Sequence, residues 1–64
     1  MVGARGIAKE RLAPLGYVQV RGELWKAELM EGSLPLEKGG RVRVEGVRGL
    51  RLFVQSGDEE DENY

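Results

Sequence analysis

The most constraining feature of this sequence is an alternation of apolar and polar residues with a period of two. It recurs in four segments, 17–21, 24–29, 41–45 and 50–55. Such alternation is typical of β-strands that turn one face to a core and the other to water. No window of ten residues keeps an apolar stripe at helical spacing. The chain is therefore predicted to be all-β.

A fifth strand is predicted over residues 2–9, with Ile7 facing the core. Arg21 and Gly22 interrupt the alternation and predict a tight turn between two strands. Residues 46–49, Gly-Val-Arg-Gly, predict a four-residue hairpin that joins the last two strands, with Leu50 in the inward phase of the last one.

A few large side chains are predicted to fill the core and to close the open end of the sheet. Trp25, the single tryptophan, shares the phase of Ala27 and Leu29 and is predicted to lie in the core, where a large ring beside a small residue fills a narrow barrel. The segment 31–40 is too rich in Gly and Pro for a helix. Its Leu34 and Leu36 are expected to plug the open end of the sheet.

Five short strands leave unpaired edges unless the sheet closes on itself. We therefore predict a small five-stranded Greek-key barrel, the OB-fold. An SH3-like barrel also fits, because the stretch EKGGRVRVEGVRGLRLFV is similar to the KOW-type segments of ribosomal and transcription proteins.

Composition argues against an enzyme. The 64 residues include no Cys and no His, which removes disulfides, thiol nucleophiles and the commonest metal ligand. Ser33 with Lys38 is a possible nucleophile–base pair, but a Ser in a Gly/Pro-rich loop is expected to form a turn. The carboxylate pairs are expected to be solvated charges; they are Glu28 with Glu31 and Glu23 with Glu45. We predict no catalytic residue, no metal site and no cofactor.

The acidic residues are unevenly distributed. Residues 58–62 are all Asp or Glu, whereas residues 1–57 carry ten basic and six acidic side chains. A block of like charges is typically disordered and solvated. We predict a barrel over residues 1–56 and a disordered acidic tail over 57–64, with a tail that folds back on the basic body as the alternative. No apolar run approaches the roughly 20 residues of a membrane span.

Short motifs recur in a defined order along three stretches, VGARGIA, LAPLGYVQVRGELWKAEL and LPLEKGGRVRVEGVRGLRLFV. Over about residues 2–55 the chain resembles the soluble C-terminal domain of the NfeD-like family. The positions that carry the resemblance are Gly3, Gly6, Leu12, Pro14, Gly16, Gly22, Glu23, Trp25, Ala27, Lys38, Gly39, Val42, Val44, Gly49, Leu50, Leu52 and Val54.

The resemblance implies an OB-fold barrel in a membrane-associated prokaryotic protein that works with a stomatin or flotillin homologue. Members of this family carry transmembrane segments before the domain, and this sequence contains none. The resemblance thus implies that the chain is soluble by itself and reaches a membrane, on its cytoplasmic side, only as part of a parent protein.

The outward phases of the strands supply the candidate partner-binding residues. They combine apolar and basic side chains: Tyr17, Leu24, Phe53, Arg43 and Arg51. An exposed apolar patch often marks an interface, which favours a non-catalytic protein-interaction domain. The alternative is an oligonucleotide-binding module, because outward aromatics beside basic residues also stack bases. The sequence pI of about 5.4 argues against nucleic acid.

Overall fold

The structure of the protein is a computed structural model, which describes residues 1–57. The acidic tail predicted for 57–64 lies outside these residues, except for Gly57. Gly57 is buried, and its N–H donates to the Arg41 carbonyl at 3.0 Å.

Five β-strands make up the regular structure of residues 1–57. They are β1 (Arg5–Ala8), β2 (Leu15–Val20), β3 (Glu23–Leu29), β4 (Arg41–Arg48) and β5 (Arg51–Ser56). They form a closed barrel in the order β1-β2-β3-β5-β4, with every neighbouring pair antiparallel except the parallel pair β3–β5. The prediction of an all-β, five-stranded OB-type barrel is confirmed. Nothing in the described part of the chain is a helix of the length and apolarity that crossing a membrane requires.

The barrel interior is filled by small and branched apolar side chains. Ten buried residues form one cluster: Ala8, Leu12, Val18, Val20, Ala27, Leu29, Val42, Val44, Leu52 and Val54. In β2 the burial alternates strictly, as the sequence pattern predicts. Leu12 lies outside the strands and bonds to the loop through two backbone hydrogen bonds with Leu36. That contact closes one end of the barrel.

The predicted inward position of Ile7 is wrong. Ile7 is 38% exposed, whereas Ala8 is fully buried. The reason is space, because a Cβ built on the neighbouring Gly6 would collide with the Gln19 carbonyl oxygen and the Val20 side chain. Strand β1 therefore turns its small residues inward and is shorter than the predicted 2–9.

The predicted four-residue hairpin at 46–49 is also wrong. β4 continues to Arg48, which pairs with Arg51, so the turn consists of Gly49 and Leu50. Gly49 has a φ of 60°, which suits the glycine position of a type II′ turn. Leu50 is consequently 84% exposed instead of inward. Gly46 lies at a β-bulge, where the register shifts between Val44 and Gly46.

Two loop predictions have different outcomes. Leu36 packs against the core as expected of a plug, but Leu34 is 84% exposed, and its prediction as a plug is wrong. The Leu12–Leu36 bridge fills that end of the barrel instead. The predicted turn at Arg21 and Gly22 is confirmed, since both residues have positive φ, 54° and 81°, as a type I′ turn requires.

Candidate functional site

Both tight hairpins project from the same end of the barrel. The β2–β3 turn is Arg21-Gly22, and the β4–β5 turn is Gly49-Leu50. The parallel ladder between β3 and β5 begins at Lys26 and Arg51. Because of this register, the first three residues of β3 extend past the start of β5 and lie beside the second turn.

A concave surface lies between the two hairpins, and we call it the hairpin cleft. It consists of two adjoining hollows of about 570 and 450 Å³ that share Lys26 and Leu50. Its lining residues are Glu23, Leu24, Trp25, Lys26, Glu28, Arg48, Leu50, Arg51 and Phe53.

Exposed apolar side chains lie on the rim of the hairpin cleft. Leu24 is 63% exposed and Leu50 is 84% exposed, so both project into water. Phe53 is half-buried in the same surface. A domain of this size loses stabilising burial for each leucine that it leaves outside. Two such leucines at one site favour an interface that covers them.

Basic groups flank these apolar side chains. Arg51 Nη1 donates to Glu28 Oε1 at 3.0 Å, so Arg51 forms an ion pair within the domain. Lys26 pairs with Arg51 across one ladder and Arg48 pairs with Arg51 across the other, so all three lie in one row. Lys26 and Arg48 are exposed, so their positive charges face the solvent at the hairpin cleft.

The cleft also contains a strand segment that is paired on one side only and a side-chain donor without a partner. Glu23, Leu24 and Trp25 are paired with β2 on one side, but the β3–β5 ladder does not reach them on the other. Trp25 is half-buried, and its Nε1 is enclosed with no acceptor among residues 1–57. An enclosed N–H without an acceptor costs about 1–3 kcal/mol. The prediction of a core position for Trp25 is therefore only partly met, because the indole packs on the core but lies at the barrel mouth.

A separate charged cluster lies on β4 and β5, away from the hairpins. Arg43 Nε donates to Glu45 Oε2 at 2.8 Å, and Gln55 Nε2 donates to the same oxygen at 2.7 Å. The hydrogen bond from Arg43 is the largest influence on Glu45 and lowers the pKa of its carboxyl, partly opposed by desolvation. This cluster fixes the bulged part of β4 against β5.

The structure brings four of the five predicted partner-binding residues to one outer surface. Leu24, Arg51 and Phe53 line the hairpin cleft, and Tyr17 lies across from Lys26 in the β2–β3 register. Arg43 lies outside the cleft, in the cluster with Glu45. A binding role for these five residues stays a prediction.

Arg48 and Leu50 are among the cleft residues that the sequence-based candidates do not include. The reason is the misplaced turn, which put Arg48 in a loop and Leu50 in the core. A usable signal was Gly49, because a glycine followed by one residue before a new alternation also fits a two-residue turn.

The alternative chemistry considered for the loop and the carboxylates has little geometric support. Ser33 lies in an exposed turn, where its N–H donates to the Met30 carbonyl at 3.0 Å. Glu28 and Glu45 are each engaged by an arginine. Within residues 1–57, no three His, Cys, Asp or Glu side chains gather in a way that would hold a metal ion.

Comparison with known proteins identifies the family of this barrel. The sequence profile of the NfeD-like C-terminal, partner-binding domain matches residues 1–55. The chain belongs to the NfeD-like family. The residues that line the hairpin cleft all fall within the matched part of this NfeD-like domain.

Relatives agree with this assignment. The NfeD-like domain is 46% identical over 54 residues to a membrane-bound protease of Pyrococcus horikoshii, and the match covers 84% of the chain but only 12% of that relative. It is also similar to the solved C-terminal domain of the stomatin operon partner protein 1510-C from the same organism. That likeness has a TM-score of 0.85 at 42% identity and covers 92% of this chain and 91% of the other.

A third similarity concerns a bacterial protein. It is the soluble domain of a membrane protein implicated in regulation of membrane protease activity from Corynebacterium glutamicum, with a TM-score of 0.78 at 26% identity. The match covers 88% of the NfeD-like chain and 92% of that structure. The barrel is thus common to archaeal and bacterial relatives.

Proposed function

We propose that this domain binds a stomatin- or flotillin-type protein through the hairpin cleft, as a non-catalytic part of a membrane-associated parent protein. The observation that carries the proposal is the coincidence of three features at one end of the barrel. These are the exposed leucines 24 and 50, the unpaired edge at the start of β3, and the basic groups of Lys26 and Arg48.

The comparisons support the partner class. The family domain is described as partner-binding, and one structural relative is named a stomatin operon partner protein. The protease in the name of the other relative describes a protein of which this chain spans about an eighth. We therefore assign proteolysis to a different part of such a protein, and place this domain on the cytoplasmic side of the membrane.

The cleft suggests how a partner would be held. Burial of Leu24 and Leu50 supplies the apolar contribution, and each fully buried leucine contributes about 1.5–3 kcal/mol. An extended segment of the partner can pair with the edge of β3 that the β3–β5 ladder does not reach. Acidic side chains on that segment complement Lys26 and Arg48.

Two leucines of equal exposure provide a matched test. Leu50 is in the cleft and Leu34 is in the distant loop, and both are 84% exposed. We would measure binding of the purified stomatin from the Pyrococcus horikoshii operon by calorimetry. Leu50→Asp is expected to weaken binding at least tenfold, about 1.4 kcal/mol, whereas Leu34→Asp leaves it unchanged.

Several results would contradict this proposal. No binding by the wild-type domain would remove the stomatin-type partner, and equal losses from Leu50→Asp and Leu34→Asp would remove the hairpin cleft as the site. Binding to a generic single-stranded oligonucleotide that weakens steeply with salt would favour the other candidate function. Tyr17 and Phe53 on either side of the Lys26–Arg51 pair are the observation behind that candidate.

A further inference from the structure

The turn between β2 and β3 contains a backbone conformation that most residues avoid. Arg21 has a φ of 54°, and it is the one non-glycine residue with a positive φ among residues 1–57. At positive φ the Cβ atom of an L-residue crowds the backbone, which costs free energy that glycine avoids and asparagine tolerates. A type I′ turn needs positive φ at both central positions, so its usual sequence is Asn-Gly or Asp-Gly. Arg21-Gly22 meets that preference only at its second position.

The side chain of Arg21 does not offset this cost within the described part of the domain. Arg21 is exposed, and its guanidinium forms no hydrogen bond or ion pair with residues 1–57. Other arginines of the barrel form such contacts, as Arg51 does with Glu28 and Arg11 with Glu37. Strained backbone at a non-glycine residue is concentrated at binding sites. A strained residue whose side chain is not engaged by the barrel therefore indicates a contact outside the domain.

Arg21 lies at the end of the barrel that carries the hairpin cleft. The turn follows Val20 and Glu23, the last pair of the β2–β3 ladder. Leu24, the next residue of β3, lines the cleft and is 63% exposed. The stem of an arginine is long enough to cover apolar surface while its charged end stays in water. Arg21 is thus placed to extend the basic border of the hairpin cleft.

The cations at this end of the barrel favour an acidic ligand. Lys26 and Arg48 are exposed, and like Arg21 they form no hydrogen bond or ion pair with residues 1–57. Of the two acidic residues that line the cleft, Glu28 is engaged by an arginine, and Glu23 offsets one of the three positive charges. The balance stays positive, which complements an acidic segment.

We propose that Arg21 is a partner-binding residue that holds an Asp or Glu side chain of the partner segment bound in the hairpin cleft. This role rests on the proposed function, and it adds the residue in the turn that recognises an acidic group of the partner. An arginine binds a carboxylate through two parallel, charge-assisted hydrogen bonds. The contact explains why the turn has a residue that is less suited to a free hairpin than asparagine.

Arg21→Asn separates the cost of the turn from the use of the side chain. Asparagine tolerates the left-handed conformation, so the folding equilibrium constant is expected to rise about threefold or more, seen as a higher urea midpoint. The same change removes the guanidinium. Binding to the purified stomatin from the Pyrococcus horikoshii operon is therefore expected to weaken about fivefold, with most of the loss in the association rate constant at low salt. Because the variant is the more stable protein, unfolding could not cause that loss.

Two control variants accompany this measurement. Lys38→Asn also removes one exposed positive charge, but from the loop that bonds to Ala8 at the opposite end of the barrel. It should leave the affinity unchanged. Arg21→Lys keeps both the charge and the strained turn, so its urea midpoint should match the wild type, and it should lose less affinity than Arg21→Asn.

The outcomes distinguish the role of Arg21 from the proposed function. Absence of binding by the wild-type domain would overturn both. Binding that Leu50→Asp weakens and Arg21→Asn leaves unchanged would support the hairpin cleft and overturn the role of Arg21. Equal losses from Arg21→Asn and Lys38→Asn would overturn that role too, because they would indicate an effect of net charge alone. A lower urea midpoint for Arg21→Asn would do the same, because the arginine would then serve the fold.

Discussion

Trp25 combines two properties that rarely occur together in a small barrel. Its ring packs against the core cluster from the mouth of the barrel, while its Nε1 is enclosed without an acceptor among the described residues. The ring stabilises the fold through its apolar area, and the N–H opposes that contribution.

The opposing contributions of the Trp25 ring and its N–H predict the effects of two substitutions on stability. Trp25→Ala removes the ring and is expected to lower the free energy of unfolding by about 3 kcal/mol or more, near the lower end for large aromatic truncations. Trp25→Phe keeps most of the ring contact and removes the unbonded donor, so its loss should be about 1 kcal/mol or less. Urea unfolding followed by circular dichroism measures both, and equal losses would contradict the expectation that a phenyl ring keeps most of the ring contact.

Glu45 predicts a pH dependence. The hydrogen bond from Arg43 lowers its folded-state pKa below the ordinary value of 4.5, so the carboxylate stabilises the fold above that value. This contribution is lost as the pH falls from 4.5 through the folded-state pKa. The urea midpoints of the wild type and Glu45→Gln are therefore expected to differ at pH 7 and to converge toward pH 3.

The control for that measurement introduces Glu45→Gln into a protein that already carries Arg43→Gln. Without the guanidinium, Glu45→Gln should change the midpoint much less at pH 7. A difference between the wild type and Glu45→Gln that persists unchanged at pH 3 would show that the interaction does not depend on ionised Glu45.

At the scale of elements, β1 depends on the absence of a side chain at Gly6. Gly6→Ala would place a Cβ against the Gln19 carbonyl oxygen and Val20 Cγ2, and backbone cannot yield as a flexible side chain does. We expect a loss of about 1–3 kcal/mol in the free energy of unfolding. At the β-bulge, a Cβ on Gly46 meets only Phe53 Cβ at 4.0 Å, so Gly46→Ala should stay within about 0.5 kcal/mol of wild type.

Chemical denaturation of the two variants decides this prediction. A larger loss from Gly46→Ala than from Gly6→Ala would mean that the β4 bulge, and not the β1–β2 approach, limits the packing of the barrel.

The same two elements show what the sequence could and could not predict. Alternation predicted four of the five strands, because every second residue of such a strand is apolar and buried, and the need to pair the strand edges predicted the closed barrel. The alternation pattern gave the wrong positions for Ile7 and Leu50. Neither the close approach of β1 to Val20 nor the β-bulge beside Gly46 changes the two-residue period of apolar side chains, so the pattern does not reveal them. The candidate site was predicted as far as Leu24, Arg51 and Phe53, whose phases are unaffected by the misplaced turn.

At the scale of the whole molecule, closure of the barrel depends on contacts between residues far apart in the chain. β3 meets β5 at Lys26 and Arg51, and β1 meets β4 at Arg5 and Arg43. Loop entropy must be lost before these ladders stabilise the fold, which slows folding. We expect refolding in milliseconds to seconds, the range of barrels with mostly non-local pairing.

Stopped-flow refolding with Trp25 fluorescence as the probe measures this rate. Relaxation within microseconds would contradict the expectation and would indicate that local hairpins alone determine the barrier.

The junction of β1 and β4, which is the seam of the barrel, has a practical consequence for how the domain can be attached to another molecule. Gly3 donates to the Val44 carbonyl and Gly57 donates to the Arg41 carbonyl, so both ends of the described chain are attached to β4. In the ring β1-β2-β3-β5-β4, the strand opposite the β1–β4 seam is β3. A surface or a fluorophore joined at Met1 would therefore lie beside β4, on the opposite side of the barrel from β3 and its part of the hairpin cleft.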